Sequence, residues 1–459
     1  MKINNILQNS KVSDTVTVSG WVLTCRKQKN MSFIKLNDGS CSEGIQLILD
    51  EVDIGDGSQQ NMIQTGCSIT VEGTLVESPA KGQSVEVQVN KLTIIGSVDP
   101  EKYPLAKTRM NLDTLRNYLH LRSRTANFGN VFRIKSAISH GTHEFFKKES
   151  YLHLDPNIIT VNECEGGAGV FQVTEHDLTD ASKLPIKDGK YDWTKDHFGK
   201  PVFLTVSSQL QLEAISCGLG AIYTTNKSFR SEHSSTSKHV SEFTHLEIED
   251  IFIELESLMN VGERYIKYIC QYIQDNCNLE IEGLNSFISK GIKERIETIK
   301  NATFHKITYK DAVTLLQSSD MKEKPKDGDD LSSESENWLT KHFDGPVFVT
   351  HWPINIKSFY MKQCDDGTCE SFDLLMPYKI GELIGGSMRE EGYEKLISMM
   401  KQKKIPEDGL EFYTDLRKFG SVPHGGFGLG IDRLCMLFTG MENIKDVIPF
   451  PVQYKNCEF

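Results

Sequence analysis

The sequence predicts an α+β protein in two parts: a small five-stranded β-barrel at the N-terminus, then a larger antiparallel sheet flanked by helices. Three observations carry that prediction. At 459 residues the chain is too long for one ordinary core. From about residue 14 to 96 it runs in short alternating segments broken by glycine and turn residues. Further on, strand-like runs outnumber helical ones and alternate irregularly with them, which favours α+β layering over a regular βαβ succession.

The elements follow in order. TVTVSGWV, SFIKL, GIQLIL, SITVEGTLVE and VEVQVNKLTII are the barrel strands, in a domain assigned to residues 1–98. The commonest five-stranded closed sheet is the OB fold. VDPEKYPLAKTRMNLDTLRN reads as a proline-containing linker at 99–118, and residues 119–459 form the second domain. There, NFGNVFRIKSAISHGTHEFFKKESY is a helix, with Val131, Ile134, Ala137, Ile138, His140 or Gly141, and Phe145 at helical spacing. HLDPNIITV is extended, its start fixed by Pro156. PVFLTV (201–206) is a buried strand, and the echo between HFGKPVFLT and HFDGPVFVT predicts two strands entering one sheet. Leu258, Val261, Tyr265 and Ile269 mark another amphipathic helix. SFDLLM and GGFGLG are strands, and the latter leads into a helix that stops at Gly440.

Composition narrows the function. With 38% hydrophobic and 25% charged residues and no apolar run of 18, no membrane span is expected. The N-terminus has neither an apolar core nor basic amphipathic character, so a cytoplasmic location is expected. The 11 scattered cysteines read as reduced thiols, since Cys364 and Cys369 have no second pair of ligands. A net charge of −12 argues mildly against a nucleic-acid partner, but such binding depends on where the positive charge sits. The acidic stretch KPKDGDDLSSESEN (324–337) reads as a solvated loop. Neither a P-loop, a dinucleotide fingerprint, H-E-x-x-H nor G-x-S-x-G occurs.

The chemistry concentrates in FRSEHSSTSKHVSEFTHLEIE (229–249). Alternate strand residues share a face, so Arg230 and Glu232 point one way, and Phe243, His245, Glu247 and Glu249 share a face opposite Leu246 and Ile248. Such a face suits an adenine on the phenyl ring and a phosphate on the guanidinium. A solvated sheet face with cross-strand ion pairs is the alternative. In FDLLMPYKIGELIGGSMRE, Asp373 lies within an apolar run, where an ionised carboxylate needs a partner or a metal. With Glu382 nearby, the pair suits Mg²⁺ held largely through phosphates and water. GGFGLGIDRL puts Arg433 at the start of a helix, well placed over a nucleotide.

FRSE…EFTHLEIE resembles motif 2 of the class II aminoacyl-tRNA synthetases, and GLGIDR resembles their motif 3. The helix from Asn127 leading to HLDP resembles motif 1, which puts the motifs at about 127–156, 229–249 and 425–440. With the N-terminal barrel, the resemblance covers essentially the whole chain and points to the aspartyl, asparaginyl and lysyl subclass. It implies activation of an amino acid by ATP with Mg²⁺, then acyl transfer to a tRNA 3′ end, in a homodimer joined near Pro156. Carried over by position, Arg230 takes the α-phosphate, Phe243 stacks on adenine, and Arg433 lies over adenine and γ-phosphate. Glu232, His233 and Lys238 complete the ATP set. Asp373 and Glu382, with Ser387 as a further candidate, would hold Mg²⁺. Glu165, Ser207 and Gln209 would hold the substrate ammonium, the last two on an extended strand, and Arg389 would grip the side-chain carbonyl.

The resemblance also implies which amino acid. Aspartyl enzymes have a lysine where this chain has Leu212, and aspartate where it has Glu247. A carboxamide needs one donor and one acceptor, which Arg389 and Glu247 supply, whereas a carboxylate wants two cations. Asparagine and tRNA(Asn) are therefore expected. Phe33 and Gln46 match positions that stack on and bond an anticodon uracil, with Arg26 and Lys27 on phosphate. Three rivals stand beside this reading: an aspartyl enzyme charging both tRNAs, a silent paralogue acting as an RNA-binding module, and a tRNA-independent asparagine synthetase. Leu212 and Glu247 oppose the first, the intact arginines and carboxylates oppose the second, and the barrel opposes the third.

Overall fold

Alternation along five strands closes the N-terminal sheet on itself. In this computed structural model, which describes residues 1–28, 31–50, 62–79, 83–105, 110–162, 169–234 and 236–458, strands β1 (Thr15–Gln28), β2 (Met31–Asn37), β3 (Ile45–Asp50), β4 (Ser68–Glu77) and β5 (Val85–Gly96) form a closed barrel in the order β1-β2-β3-β5-β4. The one parallel pairing, Leu47 opposite Val87, completes closure. Inward residues such as Val16, Val18, Ile34, Leu36, Leu47, Leu49, Val71 and Val87 fill the interior, as the period of two requires. Within the expected linker, Leu112–Leu115 is a helical turn whose first turn is capped by Asn111.

The chain divides into two compact units, Met1–Phe132 and Arg133–Phe459. The second is organised by an eight-stranded sheet. Its strands are β6 (Leu152–His153), β7 (Ile222–Phe229), β8 (Glu242–Ile251), β9 (His305–Thr308), β10 (Val347–Thr350), β11 (Ser371–Met376), β12 (Gly381–Met388) and β13 (His424–Gly430), in the order β9-β10-β11-β12-β13-β8-β7-β6. Its interior pairings are antiparallel, and both edge pairings, β9 with β10 and β7 with β6, are parallel. The helices that bear on the site are α1 (Ala126–Lys148), α2 (Gln209–Leu219), α3 (Leu255–Asn276), α4 (Ser333–His342), α5 (Glu411–Lys418) and α6 (Ile431–Thr439). The apolar stripes of α1 and α3 are buried as their spacing requires, with Gly141 rather than His140 on the inner side of α1.

Three expectations are corrected. Val202–Leu204 does not enter the sheet that holds β10; it forms a separate three-stranded sheet with Ile159–Thr160 and Gln172–Val173. The segment TVSSQLQLE is not a strand throughout: from Gln209 it is α2, with Leu210, Leu212, Glu213 and Ser216 buried at helical spacing. The acidic stretch 324–337 is not wholly loop. Ser332 accepts a hydrogen bond from Ser335 N–H and starts α4, and this brings half-buried Glu336 against Gly381 and towards Lys238.

Candidate active site

The floor of the site is the run β7-β8-β13-β12, and what makes it a floor is that Gly426 and Gly428 of β13 carry no side chain. A Cβ at Gly426 would collide with the Glu249 carboxylate, and one at Gly428 with the His245 ring. The glycines of GGFGLG therefore let the polar side chains of β8 lie flat across the neighbouring strand. Asp432 then fixes α6 to this floor: it accepts from Thr244 N–H at 2.9 Å and pairs with Lys135 of α1. Arg433, the next residue, is presented at the cleft and donates to the Glu382 carbonyl at 2.5 Å.

Two cavities open on this floor and share Arg230, His245, Glu382, Gly385 and Gly428 as common wall. The first is lined by Ser207, Gln209, Glu247, Glu249, Arg389 and Asp373. The second is lined by Glu232, Lys238, His239, Phe243 and Arg433. The Arg230 guanidinium lies 5.6 Å from the centre of the Phe243 ring. Burial draws the Lys238 ammonium below its ordinary range, against the pull of Glu336 and helped by Arg433. His233 is not among the lining residues; its ring stacks on Tyr454 with centroids 4.4 Å apart.

The first cavity is a web of buried charge. Glu247 caps the start of α2: both of its oxygens accept from Ser208 N–H, at 3.1 and 3.0 Å, and one also accepts from the Ser207 hydroxyl. The carboxylate that pairs with Arg389 is Glu249, not Glu247, through Nε at 3.3 Å and through Nη2. Beneath them Glu213, wholly buried, accepts from Gln209 Nε2 at 3.0 Å, Arg417 Nη2 at 2.9 Å and His424 Nε2 at 3.1 Å. Burial alone would raise the Glu213 carboxyl, but Arg417, His424 and Arg389 hold it well below the usual range. Burial, with Glu213 and Glu247 nearby, pushes Glu249 up against the pull of Arg389.

The donor set for a hard cation is coherent. Asp373 is buried and accepts from Lys357 Nζ at 2.7 Å; burial and neighbouring Glu382 push it up to about 7 despite that lysine. A Cβ at Gly385 would meet Glu382 Oε1 at 2.9 Å and Asp373 Oδ1 at 3.6 Å, so oxygens from both carboxylates face one hollow that only glycine leaves open. Two carboxylate oxygens with room for phosphates and water fit Mg²⁺. Ser387, the further ligand candidate, is fully buried, and its hydroxyl accepts from Arg389 Nη1 at 2.7 Å.

On the barrel, Arg26 of β1 is the cross-strand partner of Phe33, and Lys35 that of Gln46. All four project from the outer face of β1-β2-β3. Pro156 lies in an apolar groove with Ile158, Ile159, Val161 and Phe198, and its carbonyl accepts from Asn226 at 2.9 Å. Glu165 lies outside the described residues. Sequence reasoning missed Glu213, Glu249 as a partner of Arg389, Arg417, His424, Lys357 and Glu336. A charged residue within an apolar helix face, as at Glu213, was the available signal.

Comparison with known proteins gives concordant matches. Residues 111–454 match the family of class II tRNA synthetases for D, K and N, and residues 16–95 match the OB-fold nucleic-acid-binding anticodon domain. The asparagine–tRNA ligase of Protochlamydia amoebophila is 44% identical over 98% of this chain and 96% of its own length. Asparaginyl-tRNA synthetase from Pyrococcus horikoshii, solved with asparaginyl-adenylate, superposes with TM-score 0.86 at 29% identity, over 98% of this chain and 97% of that one. The Entamoeba histolytica asparaginyl enzyme with the same adenylate gives 0.83 at 26%, over 98% of each chain.

Proposed function

The chain belongs to the class II tRNA synthetases for aspartate, lysine and asparagine, and from that premise we infer how its two joined cavities carry out the reaction. It is an asparagine–tRNA ligase: it joins asparagine to ATP as asparaginyl-adenylate and pyrophosphate, then transfers the asparaginyl group to tRNA(Asn). The observation that carries the mechanism is Arg230 in the wall common to both cavities. A group in that wall reaches the α-phosphate of a nucleotide on one side and the carboxylate of an amino acid on the other.

In the first step an asparagine carboxylate oxygen attacks the α-phosphorus. An acyl–phosphate bond forms, the bond to the β-phosphate oxygen breaks, and pyrophosphate leaves with the electron pair. Arg230 neutralises charge on the α-phosphate, Arg433 holds the distal phosphates, and Phe243 supports adenine. Asp373 and Glu382 would hold Mg²⁺, which when bound offsets phosphate charge. In the second step a terminal ribose hydroxyl attacks the acyl carbonyl and AMP leaves. Gln209 and Ser207 receive the α-ammonium, while Arg389 donates to the side-chain carbonyl and Glu247 accepts from its NH₂.

The outer face of β1-β2-β3, with Phe33 between basic residues, is read as the anticodon platform. Exposed Ile159, Val161 and Phe198 around Pro156 support a homodimer joined at that groove. No helix among the described residues is long and apolar enough to cross a membrane. The deciding experiment is ATP–pyrophosphate exchange with Mg²⁺ and no tRNA, comparing asparagine, aspartate and lysine. Exchange with asparagine alone is expected. Exchange with aspartate at comparable efficiency would favour the aspartyl rival, and none with any of the three the silent paralogue.

A further inference from the structure

Beneath the amino-acid cavity lies a carboxylate that no reacting atom reaches. Glu213 sits on α2, fully buried, with its two oxygens divided between two tasks. Oε1 accepts from Gln209 Nε2 at 3.0 Å and lies 3.7 Å from Arg389 Nε. Oε2 accepts from Arg417 Nη2 at 2.9 Å and His424 Nε2 at 3.1 Å. Arg417 is in turn held by the Tyr413 hydroxyl at 3.0 Å and the Glu390 carbonyl at 2.8 Å.

We propose that Glu213 is a positioning residue that makes this site choose a side-chain amide over a side-chain carboxylate, an inference that rests on the asparagine reading above. Two physical effects produce the choice. A carboxylate only accepts, so it binds Gln209 through the amide NH₂ and turns the Gln209 oxygen the other way. Gln209 lines the cleft, and an amide oxygen there suits a substrate ammonium. The second effect is charge. Arg389, the donor for the substrate side chain, already has Glu249 and Glu213 against its Nε edge. A neutral carboxamide can bond to a guanidinium matched in this way, whereas an incoming carboxylate meets Glu247 and Glu249 in the cavity wall with the Glu213 charge buried behind them. Like charges in such surroundings repel strongly. Removing the Glu213 charge makes the cavity one unit more positive and releases the Gln209 amide. Removing the Arg417 charge makes it one unit more negative.

The test uses the full-length protein in asparagine-dependent pyrophosphate exchange, with aspartate as a competing inhibitor so that its affinity is read without turnover. For Glu213→Gln, the KM for asparagine is expected to rise and the Ki for aspartate to fall, each by roughly tenfold, the size of one unmade buried polar contact. For Arg417→Gln, the Ki for aspartate is expected to rise instead. The KM for ATP stays as in the parent in both variants. Loss of rate in both variants with an unchanged ratio of asparagine KM to aspartate Ki would mean a purely structural role and overturn the proposal. If Glu213→Gln does not fold, the Arg417→Gln measurement decides alone, and an aspartate Ki that falls or stays put overturns the proposal. A parent enzyme that does not exchange with asparagine refutes the asparagine reading instead, so the two failures are distinguishable.

Discussion

The two cavities that meet at Arg230 handle charge in opposite ways. On the side proposed for the nucleotide, Arg230, Lys238 and Arg433 are half-buried and turned to the cleft. On the side proposed for the amino acid, Arg389 and Arg417 are buried and matched within the protein by Glu249 and Glu213. A triphosphate brings its own negative charge, so cations there are best left facing the ligand. A carboxamide brings none, so every charge around it has to be settled in advance by the fold. Under the proposed assignment the difference teaches that the two small substrates are met by different physics: complementary charge on one side, preset dipoles on the other.

That contrast can be broken most forcefully on the nucleotide side. Arg230→Ala or Arg433→Ala should lower asparagine-dependent exchange on the order of 10²–10³-fold, the loss seen when one preorganised charge partner is removed. Single-turnover adenylate formation checks this, and a fully active Arg433→Ala protein would sink the motif 3 assignment. Withdrawing Mg²⁺ with a chelator should abolish exchange, and restoring the ion should recover it. On the amino-acid side Glu247→Gln should raise the KM for asparagine roughly tenfold while the KM for ATP holds; equal change in both would erase the contrast. Glu336→Gln should have a smaller effect, a few-fold on the KM for ATP, because its carboxyl acts through Lys238 and the Gly381 turn; roughly 0.5–1.5 kcal/mol is typical of one such contact. Phe33→Ala leaves both cavities intact, so exchange should match the parent while tRNA charging falls.

Much of this architecture is written in local pattern. The barrel strands are legible because each alternates around its own core, and β8 because its polar face repeats every second residue beside apolar Leu246 and Ile248. The helix after Gly430 is legible because an acidic first turn follows a glycine-rich strand. What is hidden depends on pairing across long distances in the chain. Glu213 and Arg417 are 204 residues apart, and Arg389 and Glu249 are 140 apart. No window of sequence holds both members. TVSSQLQLE alternates like a strand, and Glu247, brought up from β8, joins the Ser207 hydroxyl in capping the helix that starts at Gln209. Glu336 reads as one more solvated charge because it lies in the acidic stretch 324–337, and only the structure shows it half-buried beside exposed Glu334 and Ser333.

The paired glycines of strand His424–Gly430 have a consequence for inhibitor design. A compound in the cleft would lie over the Glu249 and His245 side chains that cover Gly426 and Gly428, and a replacement at either glycine would have to displace one of them. Any such side chain runs into Glu249 or His245 before it reaches the drug. A single replacement at these glycines would therefore disturb the Arg389–Glu249 pair or the His245 ring in the wall common to both cavities.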